Sequence, residues 1–171
     1  MAFTAAEFQS TDTVRLAKML LGRTLVLNRG SSSEAHLITE VEAYDGPDDK
    51  ASHASRGLTP RNAVMFGPGG VWYVYLVYGI HEMLNLVTGP EGYPAAILIR
   101  GLDSVSGPGR LTRSLGLDRR FNGLPAHPDS GLFLANTGQT IARDSIRRTP
   151  RIGVDYAGPV WAAKPYRFVI S

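Results

Sequence analysis

The chain has 171 residues, of which 43% are hydrophobic, with 18 Lys plus Arg, 15 Asp plus Glu and no Cys. This length and composition predict one soluble globular domain, residues 1–171, that buries a core of its own. The absence of Cys excludes a disulfide framework, thiolate metal sites and a cysteine nucleophile.

The charged side chains are unevenly distributed along the chain. Residues 1–99 carry 7 basic and 10 acidic side chains, a charge of −3, whereas residues 100–171 carry 11 and 5, a charge of +6. A basic C-terminal part is a reason to consider a polyanionic partner. Charge alone, however, is more typical of a solvated arginine-rich surface.

In chain order, the pattern first predicts a helix from about Thr13 to Leu21, capped by Thr11 or Asp12 and ended by Gly22. Apolar runs bounded by Gly, Pro and Asn then predict strands, and Pro108 suits the first turn of a second helix that continues to Leu115. Loops are expected at 118–131 and 143–153. The fold class is therefore α+β with a mainly antiparallel sheet. The predicted strands are Thr24–Leu27, His36–Tyr44, Val71–Tyr78, Met83–Thr88, Ala95–Arg100, Leu132–Ala135 and Arg167–Ile170.

The sequence shows no sign of export or of a membrane span. Met1–Glu7 lacks the basic start and apolar run of a secretory signal. The uncharged part of the chain that ends at Ile80 is interrupted by Gly and Pro, and its unbroken portion, residues 71–80, is too short for a membrane helix. We therefore expect a cytoplasmic protein with no membrane partner.

Two carboxylates stand two residues apart in one predicted strand. Alternation along a strand would place Ile38, Glu40, Glu42 and Tyr44 on the same face. A carboxylate beside apolar neighbours could act as a general base with a pKa tuned by burial. From spacing alone, an ordinary solvated strand face is the better explanation.

A second acidic segment contains Asp48, Asp49 and His53, which could suggest a metal-dependent hydrolase. Carboxylates at adjacent positions point apart, and the spacing matches neither a zinc site nor an EF-hand. No metal site is therefore predicted. A single His in this setting is more often a hydrogen-bonded structural residue than a catalyst.

Four aromatic residues lie within seven positions just before a glycine turn. Alternation places Tyr73 and Tyr75 on one face of the strand and Trp72 on the other, as expected of packing in a sheet. Tyr78 stands immediately before Gly79 at the tip of the predicted hairpin, where little core is available. An exposed aromatic wedge on a hairpin can be pushed between stacked bases.

A series of motifs follows in order along the chain: Glu40-Val41-Glu42-Ala43-Tyr44-Asp45-Gly46-Pro47-Asp48-Asp49, His53, Thr59-Pro60-Arg61-Asn62, Met65-Phe66, Tyr73-Val74-Tyr75, Tyr78-Gly79, Asn85, Arg100 and Gly107-Pro108. Taken together, these motifs resemble the alkyladenine (3-methyladenine) DNA glycosylases. The similarity extends in order from the first helix to the segment 164–168, and many motifs at consistent spacing are more specific than any single one.

The resemblance implies hydrolysis of the N-glycosidic bond of alkylated or deaminated purines, the first step of base excision repair. It implies a monofunctional DNA N-glycosylase (EC 3.2.2.21) that needs no metal, no cofactor and no lysine Schiff base. The implied partner is double-stranded DNA containing damaged purines. We further expect a monomer that is nucleoid-associated if the protein is bacterial.

The resemblance also implies a curved sheet with flanking short helices and a protruding hairpin, and it implies residue roles. Glu42 rather than Glu40 would be the general base, and Arg100 would support the attacking water. Tyr44, His53 and Tyr75 would hold the flipped base, and Asn85 would disfavour guanine. Tyr78 would intercalate from the minor groove. The expected contacts to the DNA backbone are Arg61, Arg110 and Arg113, and other basic side chains of the C-terminal part expected near phosphates are Arg119, Arg120, Arg147, Arg148 and Arg151.

A second interpretation of the same residues remains open. The hairpin and basic loops would also suit a nucleic-acid-binding domain without catalytic activity. The presence of Glu42 beside a complete set of pocket residues argues against it, since a pure binder would not need a buried carboxylate near a polyanion.

Overall fold

A computed structural model describes residues 1–171 and contains three short α-helices and nine strands. No helix in it combines the length and the apolar character needed to cross a bilayer. The helices are α1 (Thr13–Leu20), α2 (Pro108–Ser114) and α3 (Gly158–Ala162). The strands are β1 (Thr24–Arg29), β2 (Ser32–Tyr44), β3 (Trp72–Val77), β4 (His81–Thr88), β5 (Ala95–Leu102), β6 (Val105–Ser106), β7 (Leu132–Ala135), β8 (Ile146–Thr149) and β9 (Arg167–Ile170).

The strands form one antiparallel sheet with the order β3-β4-β5-β2-β1-β7. The long strand β2 holds the sheet together because its first half pairs with β1, whereas its second half pairs with β5 on one side and β9 on the other. The sheet curls around this strand. The predicted α+β class with a curved antiparallel sheet is confirmed.

Helix α1 forms where the sequence predicts it. The Asp12 carboxylate accepts a hydrogen bond from the backbone N–H of Arg15, which caps the first turn. The apolar residues Leu16, Ala17 and Leu20 are buried and pack against the sheet. The helix ends at Leu20, one residue earlier than predicted.

The main core fills one face of the sheet, and the two α-helices α1 and α2 cover it. Trp72, Val74 and Phe168 belong to this core, together with Leu111 of α2. Tyr73 belongs to a separate cluster, and Tyr75 packs against that cluster. The predicted alternation along β3 is therefore confirmed, and the tyrosines lie on the face opposite the main core.

Two segments differ from the sequence prediction. Residues 146–149 were expected within a loop but form β8, which pairs only with β9. Its residues Arg147 and Arg148 are exposed, so this strand lacks the alternation of apolar residues that marks a half-buried strand. Helix α3 is only five residues long and was not predicted.

The prediction that four residues of β2 share one face is also partly wrong. The register shifts between Ile38 and Val41, which marks a β-bulge. Ile38 consequently lies in the core cluster with Val41 and Ala43, whereas Glu40 and Glu42 point to the other face. The bulge thus separates Ile38 from the two carboxylates.

Candidate active site

A row of paired residues crosses the sheet on the face opposite the main core. Tyr73 lies opposite Asn85 across the hairpin, and Asn85 lies opposite Leu98. Leu98 in turn lies opposite Glu42. Directly paired residues in antiparallel strands share a face, so Tyr73, Asn85 and Glu42 all project to the same side.

A cavity of about 40 Å³ lies on this face. A cavity of this volume is large enough to hold water. The cavity is lined by Tyr44, Ala51, Ser52, His53, Met65, Tyr73, Tyr75, Asn85, Ala96 and Tyr156.

The wall of the cavity consists of an aromatic cluster. The ring of His53 lies 4.5 Å from the ring of Tyr75, and the rings of Tyr73 and Tyr75 are 5.1 Å apart. His53 Nδ1 is 3.1 Å from the hydroxyl of Tyr73, which fixes the imidazole. Burial, aided by Arg61, lowers the pKa of His53, so this residue is a neutral hydrogen-bonding group at neutral pH.

Asn85 contributes a fixed amide to the cavity. Its Nδ2 donates to the backbone carbonyls of Tyr73, at 3.2 Å, and Met83, at 3.3 Å. The residue is 3% exposed. Both contacts are made by the nitrogen, so Oδ1 remains as a hydrogen-bond acceptor.

The carboxylate of Glu42 is completely buried next to this cavity. Its Oε2 accepts a hydrogen bond of 2.9 Å from the hydroxyl of Tyr44, which lines the cavity, and its Oε1 accepts one of 2.8 Å from the backbone N–H of Ile152. Burial raises the pKa of Glu42, while Arg100 and the two hydrogen bonds act in the opposite direction. Glu42 is thus a desolvated carboxylate with increased proton affinity, as a general base requires.

Glu40 lies in a different environment. Its Oε1 accepts a hydrogen bond of 3.0 Å from Nε of Arg100 and one of 2.6 Å from Nε of Arg167. Arg100 Nε is also 3.5 Å from Glu42 Oε1. Two guanidinium groups therefore neutralise Glu40, while Arg100 connects the two carboxylates and does not line the cavity itself.

The acidic segment after β2 has a structural role. Asp49 is completely buried, and its carboxylate accepts hydrogen bonds from both Nη atoms of Arg151. No group of three or more His, Cys, Asp or Glu side chains is arranged to hold a metal ion. The expectation that Arg151 contacts phosphate is wrong, because Arg151 is 5% exposed and is bonded to Asp49 inside the protein.

The hairpin of β3 and β4 presents Tyr78 to the solvent. Val77 pairs with His81, so the turn consists of Tyr78, Gly79 and Ile80. Tyr78 is 91% exposed and has a φ of +51°, and it is the only residue other than glycine with a positive φ. Such a backbone conformation costs about 1 to 3 kcal/mol, and strained residues of this kind cluster at functional sites.

Basic side chains surround the base of this hairpin. Arg61 donates a hydrogen bond to the carbonyl of Leu76, and its guanidinium lies 5.2 Å from the ring centre of Tyr75. Arg110 and Arg113 are exposed on α2, which packs against β4. Arg119 forms an ion pair with Glu82 of β4 at 3.2 Å.

The other basic residues of the C-terminal part lie elsewhere or are paired locally. Arg120 forms an ion pair with Asp118 at 2.9 Å. Arg148 pairs with the core residue Phe168 and stacks on its ring, so it lies on the face of the sheet opposite the cavity. Only some of the basic side chains of the C-terminal part therefore lie near the hairpin.

The structure brings the expected pocket residues Tyr44, His53, Tyr75 and Asn85 together around one cavity. Sequence reasoning missed the contribution of Tyr156, which comes from a 3-10 turn distant in sequence and donates a hydrogen bond of 2.7 Å to the carbonyl of Ala51. No local sequence signal distinguishes this residue.

Comparison with known proteins gives a consistent result. A family model described as methylpurine-DNA glycosylase matches residues 7–106 and 101–171. The chain is 45% identical to a protein of Anaeromyxobacter dehalogenans over 95% of this chain and 81% of that protein. The identity is 43% with a Myxococcus xanthus protein (94% of this chain, 86% of that protein) and 41% with one from Methanocella arvoryzae (95% and 89%). All three carry the name "Putative 3-methyladenine DNA glycosylase".

Proposed function

The chain belongs to the methylpurine-DNA glycosylase family, and from this premise we propose that it hydrolyses the N-glycosidic bond of alkylated or deaminated purines in duplex DNA. The reaction leaves a free base and an abasic site, as in EC 3.2.2.21. The whole chain, residues 1–171, acts as one unit and as a monomer. The observation that carries the proposal is a buried carboxylate with a raised pKa beside a cavity lined by aromatic side chains.

We assign recognition of the extruded base to the aromatic cavity. Tyr44, His53 and Tyr75 provide ring faces and edges on which a purine can stack, and electron-rich rings attract cationic alkylpurines. The Asn85 amide, fixed by its two contacts to the backbone, is the group that would discriminate among purine edges. A damaged base is also easier to extrude because it is poorly paired.

We assign the chemical step to Glu42. Loss of a base from deoxyribose passes through a state in which positive charge develops on the sugar. The Glu42 carboxylate would deprotonate the attacking water and stabilise that charge. Arg100, 3.5 Å from Glu42, lowers the pKa of this carboxylate against the effect of burial, and it would support the attacking water.

We assign capture of the lesion to the hairpin. Tyr78 would enter the minor groove and fill the gap left by the extruded nucleotide, and Arg61, Arg110 and Arg113 would contact the DNA backbone. A nucleic-acid-binding domain without catalytic activity could use the same hairpin. The buried Glu42 favours the enzyme, because such a desolvated carboxylate would only weaken a site that serves binding alone.

The test is an assay of base release. Purified protein is incubated, with a chelator present, with duplexes that contain 3-methyladenine, 7-methylguanine, hypoxanthine or 1,N6-ethenoadenine, and free bases are separated by chromatography. We expect release of at least one damaged base and none from the undamaged duplex. Tight binding to lesion duplexes without release of any base would instead support the non-catalytic alternative.

The pH dependence of the reaction should report on Glu42. With a cationic lesion such as 7-methylguanine, the leaving base needs no further protonation, so the rate should rise with pH as Glu42 loses its proton. Because burial raises the pKa of Glu42, the midpoint should lie above that of an ordinary glutamate. Tyr44→Phe removes a hydrogen bond that favours the carboxylate, so it should move the midpoint to higher pH.

Tyr93→Phe is a suitable control for this shift. The hydroxyl of Tyr93 bonds to Asp45 and does not contact Glu42, so the midpoint should stay in place. Single-turnover rates across the pH range check both variants. A midpoint that moves to lower pH in Tyr44→Phe would contradict the assignment of the titrating group.

The affinity for undamaged duplex DNA should fall steeply with salt concentration. Each lost phosphate contact should reduce the slope of log K against log salt by about one. We expect this reduction in Arg61→Gln, Arg110→Gln and Arg113→Gln, measured by fluorescence anisotropy between low and physiological salt. Arg15→Gln is the control, because Arg15 lies on α1 and forms an ion pair with Asp12 at 3.8 Å. Equal slopes in all four variants would argue against the proposed backbone contacts.

A further inference from the structure

The guanidinium of Arg151 is buried next to Tyr44 of the proposed site and connects three segments of the chain. Its Nη atoms donate to both oxygens of Asp49, to the carbonyl of Ala43 at 2.9 Å and to the carbonyl of Trp161 at 3.2 Å. The side chains of Arg151 and Asp49 are both 0% exposed. A bidentate pair of this kind fixes the orientation of both partners.

Asp49 in turn holds the backbone that forms one wall of the cavity. Its carboxylate also accepts hydrogen bonds from the backbone N–H groups of Asp45, at 3.0 Å, and Ala51, at 3.1 Å. Ala51 and the following Ser52 and His53 line the cavity. The conformation of this wall therefore depends on a carboxylate that Arg151 neutralises.

Arg151 also lies close to the Tyr44 and Glu42 part of the site. Its guanidinium lies 4.8 Å from the ring centre of Tyr44, which lines the cavity. The next residue in the chain, Ile152, donates its backbone N–H to Glu42 Oε1 at 2.8 Å. One buried cation is thus linked to the loop before His53, to the Tyr44 ring and to the amide that holds the carboxylate of Glu42.

We propose that Arg151 is a positioning residue for base excision: clamped by Asp49, it fixes the Tyr44 ring and the Ile152 amide so that the pocket and Glu42 are aligned when a base enters. This inference rests on the proposed function. Arg151 touches neither the base nor the water. It acts through Tyr44, Asp49 and Ile152, and small displacements of such groups can cost about a hundredfold in rate.

The test uses two variants, because removing Arg151 alone would leave Asp49 buried and unpaired. Asp49→Asn combined with Arg151→Gln removes both charges together. Arg151→Lys retains the charge but not the bidentate pair or the planar stacking. Arg15→Gln is the matched control at an exposed arginine of α1. Thermal midpoints, affinity for an abasic-analogue duplex, single-turnover rates and their pH dependence are measured for each.

We expect both variants to bind the abasic analogue within about threefold of the wild type, since that ligand places no base in the pocket. Release of the damaged base by the folded protein should fall roughly tenfold to a hundredfold in the double variant and at least fivefold in Arg151→Lys. In the double variant the midpoint of the pH profile should move to higher pH, because Glu42 loses the Arg151 cation and the fixed position of the Ile152 amide, both of which lower its pKa. The anion that is lost with them, Asp49, is bonded to Arg151 and not to Glu42. In Arg151→Lys it should remain in place.

A purely structural role predicts a different result. Rates per folded molecule within twofold of the wild type in Arg151→Lys, together with an unshifted pH profile in the double variant if it folds, would overturn the proposal. If the wild type itself releases no damaged base in the same assay, the proposed function fails, and that outcome is separate from a failure of the role of Arg151.

Discussion

Glu42→Gln should reduce the release of damaged bases about 10²-fold to 10⁴-fold, the range typical of removing a general base. The side chains have nearly the same shape, and the amide can still accept the hydrogen bond from Ile152 through its oxygen. Tyr44 can reverse its hydroxyl and accept a bond from the amide nitrogen. The variant should therefore fold, and burial of a neutral group in place of a charge should leave its stability unchanged or higher.

The matched control for this prediction is Glu40→Gln. Glu40 stands on the same strand but is paired with Arg100 and Arg167, so its loss should cost less than tenfold in rate. Single-turnover base release and affinity for an abasic-analogue duplex separate chemistry from binding. Equal activity of Glu42→Gln and the wild type, or a larger loss in Glu40→Gln, would refute the assignment of the base.

Tyr78→Ala should weaken capture of lesion-containing duplex about tenfold to a hundredfold and leave the affinity for undamaged duplex nearly unchanged. The physical reason is stacking: an aromatic ring inserted next to unstacked bases contributes about 1 to 3 kcal/mol. At 91% exposure the ring makes few contacts within the protein, so its removal should not disturb the core. Competition binding with lesion and undamaged duplexes of the same sequence measures the difference.

Tyr78→Phe is the control for this wedge. It keeps the ring and removes only the hydroxyl, so it should retain most of the lesion capture. Tyr78→Asn provides a second check, because Asn tolerates a positive φ better than Tyr and should relieve strain while abolishing stacking. If Tyr78→Ala and the wild type discriminate equally between the two duplexes, the ring does not act as a wedge.

Much of the fold could be predicted because local patterns and tertiary packing agree. The cap at Asp12, the strand alternation of Trp72 and Tyr73 and the turn at Gly79 each specify local structure directly. β8 could not be predicted, since it is a short strand with one partner and exposed arginines. The bulge between Ile38 and Val41 was also missed, because alternation along a strand assumes an uninterrupted register.

The pocket residues of the candidate site could be predicted, whereas the spacing of the two carboxylates did not show which one is the base. Tyr44, His53, Tyr75 and Asn85 were expected from resemblance, and the structure brings them to one cavity. Spacing alone could not choose between Glu40 and Glu42, because both leave the same face of β2. Their difference comes from residues distant in sequence: Arg167 pairs with Glu40, whereas the Ile152 amide holds Glu42.

The net charge of the C-terminal part did not predict which of its arginines are exposed. The +6 charge of residues 100–171 counts Arg151 together with exposed arginines such as Arg110. Only the fold reveals that Arg151 neutralises the buried Asp49 of the acidic first part. A net charge therefore predicts a class of partner but does not identify which side chains reach it.

The proposed reaction requires that a damaged purine leaves the duplex and enters the cavity beside Glu42. A crystal structure of Glu42→Gln bound to a duplex with a single 1,N6-ethenoadenine would test this requirement most directly. We expect the intact lesion base between Tyr44 and the rings of His53 and Tyr75, with Tyr78 in the gap left in the helix. A lesion that remains stacked in the duplex, or DNA bound to the opposite face of the sheet, would contradict it.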